Sequence, residues 1–565
     1  QKVYTLIKEQ NENKSIITYF TATKQLNTSD IQNYLQDKLP YYMIPQFMKQ
    51  LDDFPLTING KIDKSKLPDI EITKNQTYLA PENEVQEKLC HIWSKLFNRK
   101  KISILDNFFE LGGDSLLAIK FQTEAIKQDL NINYSDIFEY QTIKSLSEKK
   151  YAQKKYEYEL DQNYDYEPLH DLIAINNTNH IEMELQNRNV NNLLLFGATG
   201  YLGAHILAEY LDKTSGNIYC VIRKKQNEDE KLRLKTLLNF YFQDKYDTAF
   251  DNRINVINGD ITKKNFGLNV NEYDVLGNII DTVINSAALV KHYGDLNLFN
   301  DINVNGTSNM IKFCKKFNIK LYHISTMSVG GISDIENPLK DTDERVLFNE
   351  RKFYVEQNLN NPYVYTKFKA EKEILEQIPK GLQACILRMG NIFNRYADGK
   401  FQINVSENAF INRIKSIIHL KMLQSRFIQH ALEFTPVDSV AEAIIKLIHY
   451  ENKFNIFHLF NTNLINIANF IEFINNSGYP IDFVSNKEFS DKIREFLKDE
   501  NMKNKISGII PDLDRNKTLS IISKTIPDGY FTTQYLKFIG FYWPEIDEKY
   551  VKQFLEYFKK IGYLE

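Results

Sequence analysis

Tyr363 and Lys367 stand four residues apart in "NPYVYTKFKAE" (361–371), a spacing that puts both on one face of a helix. A phenol with an ordinary pKa of about 10 exchanges protons poorly at neutral pH, and a neighbouring ammonium favours its phenolate. Such a pair can hand a proton to a developing alkoxide. A further hydroxyl donating to that oxygen completes a relay, and "HISTMSVGG" (323–331) delivers Ser325 and Thr326 at the end of a strand-like run. Spacing alone selects nothing: the chain has 33 tyrosines, and Tyr4/Lys8 and Tyr151/Lys155 match equally well. Position decides, because only Tyr363 follows both a glycine-rich strand–turn–helix and the Ser325–Thr326 run. Thr326 is thus expected to hold the oxyanion, Tyr363 to supply the proton and Lys367 to charge the site.

The glycine-rich turn lies in "LLLFGATGYLGAHILAEYL" (193–211), where Gly197, Gly200 and Gly203 form G-x-x-G-x-x-G between a strand and an amphipathic helix. The first glycine allows a tight turn, the second a close pyrophosphate and the third close helix–strand packing. The pyrophosphate would meet the N–H groups and positive end of the helix dipole. This predicts a dinucleotide site, with Lys367 also holding the nicotinamide ribose. The next strand, "IYCVIR" (218–223), ends in Arg223, followed by Lys224 and Lys225, where an NAD site carries an acid for the ribose hydroxyl. A guanidinium pairs with a 2′-phosphate, so the pattern favours NADPH over NADH.

A third stretch, "FFELGGDSLLAIK" (108–120), displays Ser115 at a helix start, with Asp114 as a cap and Leu116, Leu117, Ile119 and Lys120 in the first turns. No histidine is near in sequence and no strand leads in, so Ser115 is not a nucleophile elbow.

The elements that must carry these residues follow from pattern. The runs "NLLLFG" (192–197), "IYCVIR" (218–223), "INVING" (254–259), "TVINSA" (282–287), "KLYHIS" (320–325) and "ACILRMG" (384–390) alternate with helical segments. They predict an α/β, doubly wound parallel sheet of Rossmann type, with residues 400–565 as a smaller substrate subdomain. Residues 76–150 read as helices only, a four-helix-bundle pattern, while 1–72 alternate as a small α+β subdomain. Residues 151–190, polar and tyrosine-rich with Pro168, read as a linker and the start of the next domain.

Composition excludes several classes. A formal net charge of −3 offers no electrostatic footprint for nucleic acid. The basic clusters at 98–101 and 222–226 are short. Cys90, Cys220, Cys314 and Cys385 are far apart, which predicts no zinc site, no disulfide framework and a reducing, cytoplasmic setting. No run approaches 18 apolar residues and the start is no signal peptide, so no membrane association is expected.

Residues 191 to about 450 resemble the extended short-chain dehydrogenase/reductase family, on "GDIT" (259–262), "NSAA" (285–288), "NVNGT" (303–307), "LRMGNIF" (387–393) and "TPVDSVAEAI" (435–444). Met389 departs from the proline common at its position. The resemblance implies cofactor contacts from Thr199, Tyr201 and Leu202 in the glycine turn, from Asp260 and Ile261 on the adenine side, and from Ala287 on the nicotinamide side. "KLRLKTLLNFYFQDKYD" (231–247) is similar to the helical insertion of the thioester-reductase branch. Residues 76–150 resemble a peptidyl carrier protein, which implies that Ser115 carries covalent 4′-phosphopantetheine added by a separate transferase. Residues 1–72 resemble the C-terminal subdomain of an adenylation enzyme, on "LPYYMIP" (39–45) and "NGKID" (59–63). That resemblance implies a carboxylate- and ATP-contacting role for Lys61, without the large domain that role needs, as at a fragment boundary.

Together the resemblances match the terminal module of a nonribosomal peptide synthetase. The expected activity is NADPH-dependent release of a carrier-bound peptidyl or aminoacyl thioester as an aldehyde, or on to an alcohol. The expected partners are upstream adenylation and condensation domains and the phosphopantetheinyl transferase. Two other readings stay open: a cyclising release domain without redox chemistry, and a docking scaffold without turnover. The fused carrier disfavours a sugar epimerase.

Overall fold

The computed structural model describes residues 3–10, 13–22, 26, 31, 45, 47–55, 62–63, 66–68, 78–99, 101–109, 111–113, 115–128, 130, 132, 136–137, 140–148, 160, 164–176, 186–224, 228–291, 296–331, 346–357, 359, 361–514, 517–519 and 525–564. They fall into two compact units, residues 1–154 and 155–565.

In the first unit β1 (Val3–Gln10) and β2 (Asn13–Thr21) form an antiparallel hairpin, and β3 (Phe47–Leu51) joins β2 in parallel. Ile17, Tyr19 and Phe54 form their buried core. Residues 29–39 lie outside the described residues apart from Ile31. A separate core serves the helices α1 (Glu84–Leu96), α2 (Ser115–Lys127) and α3 (Ile143–Glu148). Asn83 caps α1, accepting from the Gln86 N–H at 2.9 Å. The apolar face of α1 buries Leu89, Ile92 and Trp93, and the Trp93 ring meets Phe108 and Phe121 edge-on at 5.3 and 5.8 Å. Fully burying each such side chain stabilises by roughly 1.5–3 kcal/mol before cavity terms.

The second unit opens with α4 (Glu167–Asn176), inside the stretch expected to be mostly linker. Pro168 sits in its first turn, where a missing N–H costs nothing. Tyr166, Leu169 and Ile173 bury in the core on one face of the sheet that follows. Seven strands then form one parallel sheet: β4 (Asn192–Phe196), β5 (Asn217–Ile222), β6 (Ile254–Asn258), β7 (Thr282–Asn285), β8 (Lys320–Thr326), β9 (Ala384–Met389) and β10 (Ile456–Leu459). The order is β10-β9-β8-β7-β4-β5-β6, so the winding reverses between β4 and β7. Open α/β sheets bind ligands at that reversal, beyond the carboxyl ends of the strands. The sheet's two faces carry two separate cores, as doubly wound layering requires.

Helices α5 (Tyr201–Lys213), α6 (Glu230–Phe242), α7 (Val270–Ile279), α8 (Gly306–Phe317) and α9 (Pro362–Gln377) link the strands up to β9. The expected insertion is α6 and the short helix after it. Its C-terminal carbonyl, on Tyr241, accepts from Arg395 Nη1 at 2.7 Å and from Lys400 Nζ at 3.2 Å.

The core does not end near residue 400. After α10 (Ala409–Leu420), α11 (Val437–Ile448) returns to the α5 face and feeds β10, a strand absent from the sequence expectation. The run "IFHL" is too short for its period to distinguish strand from helix. Later, α14 (Tyr530–Phe538) adds Tyr535 and Leu536 to the same core. Between and after these, α12 (Ile467–Asn476) and α15 (Glu548–Lys560) build the smaller subdomain around Phe434, Phe470 and Phe554, and α13 (Asn486–Phe496) packs beside the strand Met422–Gln424.

Candidate active site

Strand β4 ends at Phe196 and the chain turns at Gly197, whose φ of +83° suits glycine. A side chain there would also stand 2.6 Å from the Ser286 carbonyl carbon at the end of β7. A Cβ on Gly203 would come to 2.0 Å from the Gly197 carbonyl oxygen, so the third glycine lets α5 pack on the turn. Gly200 differs from both. It caps α5 without a side-chain hydrogen bond, and its missing Cβ faces only the Gly197 oxygen, at 3.2 Å. The first-turn N–H groups of α5 have no helical acceptors. The turn is thus closed toward the sheet and open where an anion would approach, which fits a dinucleotide pyrophosphate.

Thr199 and Leu202 lie within this turn and first helical turn. Tyr201 offers its backbone alone, since its hydroxyl donates to the carbonyls of Phe393 at 3.0 Å and Lys400 at 3.3 Å. Arg223 leaves the end of β5 exposed, its carbonyl accepting from Arg233 Nη2 at 2.8 Å; Lys225 lies outside the described residues. Asp260, half-buried past β6, accepts through Oδ1 from the Thr262 N–H and hydroxyl at 2.9 and 2.8 Å. Ile261 follows it. Ala287 follows β7, its N–H donating to Asn285 Oδ1 at 3.1 Å.

Thr326 ends β8 and caps the turn beyond it. Its Oγ1 accepts from the Ser328 N–H at 3.1 Å, which leaves its own proton to point at the Tyr363 oxygen, the hydrogen-bond partner it meets from α9. Asn361 caps α9, accepting from the Val364 N–H at 3.0 Å, with Pro362 in the first turn. Tyr363 and Lys367 thus share one helix face directed at the end of β8. Lys367 Nζ donates to the Ile324 carbonyl at 2.6 Å.

The charges differ from the sequence expectation in one respect. Burial pushes the Tyr363 phenol up to about 12, and only the Thr326 hydrogen bond works against it. The lowering expected from Lys367 is absent, because its ammonium is turned onto the Ile324 carbonyl. Burial brings Lys367 itself down to about 8, with Glu371 pulling it back up.

Sequence reasoning passed over three buried residues. Asn303, in a π-helical segment (Asn300–Asn305), accepts from the Leu289 N–H at 2.8 Å and donates to Thr366 Oγ1 at 2.9 Å, fastening the loop after β7 to α9. Glu371 and Arg388 pair at 2.7 Å with neither side chain exposed. Ser325 donates to Glu371 and so is spent away from the site, leaving Thr326 as the hydroxyl beside Tyr363. An arginine inside the apolar run "ACILRMG" was the available signal, since a buried charge needs a partner.

Ser115 is the first residue of α2; Asp114 and Lys61 lie outside the described residues. Among the described residues no group of histidine, cysteine and carboxylate side chains is placed to hold a metal ion, and no helix is long and apolar enough to cross a membrane.

The family described as "Phosphopantetheine attachment site" matches residues 87–149, and the one described as "Male sterility protein", an NAD-binding family, matches residues 195–444. A solved thiolation-reductase di-domain from an archaeal nonribosomal peptide synthetase superposes with a TM-score of 0.75 and 34% identity, over 87% of this chain and all of that one. The reductase domain of the aureusimine biosynthetic cluster superposes at 0.58 with 25% identity, over 71% of this chain. Among curated proteins, a linear gramicidin synthase of Brevibacillus parabrevis is 28% identical across the whole chain, and L-2-aminoadipate reductase of Saccharomyces cerevisiae is 24% identical over 88% of it. The chain spans 11% and 38% of the lengths of those two proteins.

A helical carrier followed by a Rossmann-type sheet with a Thr–Tyr–Lys corner defines a carrier-linked reductase. This chain belongs to the thiolation-reductase di-domains of nonribosomal peptide synthetases.

Proposed function

We propose that the chain releases a peptidyl or aminoacyl group, held as a thioester on 4′-phosphopantetheine at Ser115, by NADPH-dependent reduction to an aldehyde. The observation that carries this reading is the Thr326–Tyr363–Lys367 corner at the end of β8, in one chain with a helix-initial serine of the carrier type.

Gly197, Thr199, Gly200, Tyr201, Leu202 and Gly203 would hold the cofactor's pyrophosphate, the Tyr201 contribution coming from its backbone. Arg223 suits a 2′-phosphate, Asp260 and Ile261 border the adenine side, and Ala287 and Lys367 the nicotinamide side. NADPH, when bound, supplies the hydride for the thioester carbonyl. Thr326, its oxygen engaged by the Ser328 N–H, has one proton, which would turn from the Tyr363 oxygen to the substrate oxygen that gains charge. Tyr363 holds its proton firmly and gives it to that oxygen. Lys367, four residues along the same helix with its ammonium on the Ile324 carbonyl, would compensate the phenolate left behind by turning toward it. Loss of the pantetheine thiol then frees the aldehyde. Tethering the substrate raises its effective concentration to the order of mM. The serine at the start of α2 suits a phosphate, which the helix N-terminus tolerates.

This reading places residues 76–150 as carrier, 191–565 as reductase and 1–72 as a C-terminal subdomain of adenylation type. Its partners are the upstream modules and the phosphopantetheinyl transferase. The test is loss of reduced-nicotinamide absorbance by chain loaded at Ser115 with an aminoacyl-pantetheine. Loss that needs both the loaded arm and Tyr363 supports reductive release; stable absorbance with several acyl groups, beside intact NADPH binding, points to a scaffold or a cyclising domain.

A further inference from the structure

Glu371 sits on α9 four residues past Lys367 and eight past Tyr363, on the same helix face. Its carboxylate accepts from Arg388 Nη2 at 2.7 Å and from Arg388 Nε at 3.1 and 3.2 Å. Ser325, the residue before Thr326, donates to it at 2.5 Å. Arg388 is on β9, where its neighbour Met389 stands beside Thr326 in the sheet register. Its Nη1 donates to the Lys352 carbonyl at 2.9 Å and faces His458 Nε2 at 3.1 Å. A guanidinium only donates, so His458 Nε2 accepts and the proton sits on Nδ1, which donates to the Asp528 carbonyl at 2.7 Å. Every link in this chain then has one direction.

A buried ion pair explains itself poorly by stability. Taking each ion from water costs several kcal/mol, and well-packed apolar residues of similar volume often serve the fold as well. Position fits better, because the pair joins three elements at the catalytic corner: β8 through Ser325, α9 through Glu371 and β9 through Arg388.

We propose that Glu371, held in place by Arg388, is a positioning residue for the reduction: it anchors Ser325 and so sets Thr326 against Tyr363 and Lys367. This deepens the reading of the preceding section and rests on it. Glu371 has a second, electrostatic effect. Lys367 is faced by Tyr363 and Glu371 from α9 and by His323 from β8, with Arg388 behind Glu371 on β9. Of these Glu371 is the anion that favours the charged lysine, while buried His323 is held neutral.

The experiment uses the full chain. Ser325→Ala removes one hydrogen bond and leaves the ion pair whole. Glu371→Gln removes the anion, and a Glu371→Met/Arg388→Met double variant replaces the pair by packing. For Ser325→Ala and the double variant kcat should fall about tenfold, equivalent to about 1.4 kcal/mol, with KM for NADPH nearly unchanged. For Glu371→Gln the loss of NADPH affinity with rising pH, read by cofactor fluorescence without any acyl substrate, should move to lower pH. Wild-type kcat in both Ser325→Ala and the folded double variant would overturn the positioning role, and an unmoved affinity profile in Glu371→Gln would overturn the electrostatic one. If Glu371→Gln fails to fold, Ser325→Ala decides. If the wild type itself consumes no NADPH, the reductive reading fails, and the fluorescence profile still judges Glu371.

Discussion

Tyr363 and Lys367 are driven in opposite directions by the same burial. Desolvation penalises whichever form is charged, so the phenol rises to about 12 and the ammonium falls to about 8. Across neutral pH the tyrosine therefore keeps a proton to give, which suits reduction rather than its reverse. Lys367 is charged below its lowered pKa and neutral above it, so activity that needs its charge declines as pH rises through about 8. A kcat/KM profile on loaded chain should show that alkaline limb. Tyr363→Phe should cut turnover by about 10²- to 10⁴-fold with NADPH binding retained; equal turnover in the two proteins would remove the phenol from the chemistry. Arg223→Ser should weaken NADPH far more than NADH, read as the ratio of kcat/KM values, because an exposed guanidinium facing a 2′-phosphate has no counterpart in the hydroxyl. The residues of this corner were legible because their types are chemically restricted and their order along the chain singles them out. The acceptor of Lys367 was not, since a backbone carbonyl on another strand carries no side-chain signature.

Strands and helices were legible to the degree that burial imposed a pattern. Five strands of the sheet are largely apolar runs bounded by turn residues, as burial on both faces demands, while the edge strand β6 is only half-buried. The seventh, Ile456–Leu459, is short and carries buried His458, whose ring nitrogens are met by Arg388 and the Asp528 carbonyl. Those partners come from distant segments and no local window contains them. The glycine turn gives the sharpest prediction for an element. Gly197→Ala forces a side chain into φ +83° and against the end of β7, so it should cost at least about 1–2 kcal/mol and abolish NADPH binding, seen by melting and by cofactor fluorescence. An unaltered melt and affinity would mean that the turn relaxes without consequence.

For the molecule as a whole, Glu350 links pH to stability. It is buried, accepts from the Thr532 N–H and hydroxyl at 2.9 and 2.6 Å at the start of α14, and is pushed by burial from 4.5 to about 7. A carboxyl with a raised pKa contributes most below its unfolded value, and that contribution is lost as pH rises through the folded one. Between pH 4.5 and 7 the cost amounts to about 3 kcal/mol. Glu350→Gln should flatten the fall in melting temperature over that window, and an unchanged slope would clear Glu350 of the effect. Ser115→Ala should stop release of a tethered acyl group yet leave reduction of a free acyl-pantetheine intact; loss of both would mean that Ser115 matters for more than attachment.

The return of the chain to the sheet after its smaller subdomain bears on how such modules can be recombined. Because α11, β10 and α14 are built from residues 437–538 but share one core with α5, the smaller subdomain is laced into the Rossmann layer rather than appended to it. A chimera that trades specificity by swapping everything beyond residue 400 would cut one core into two unmatched halves. Exchange between synthetases should instead keep residues 160–564 as a single cassette, with the splice placed before Leu160.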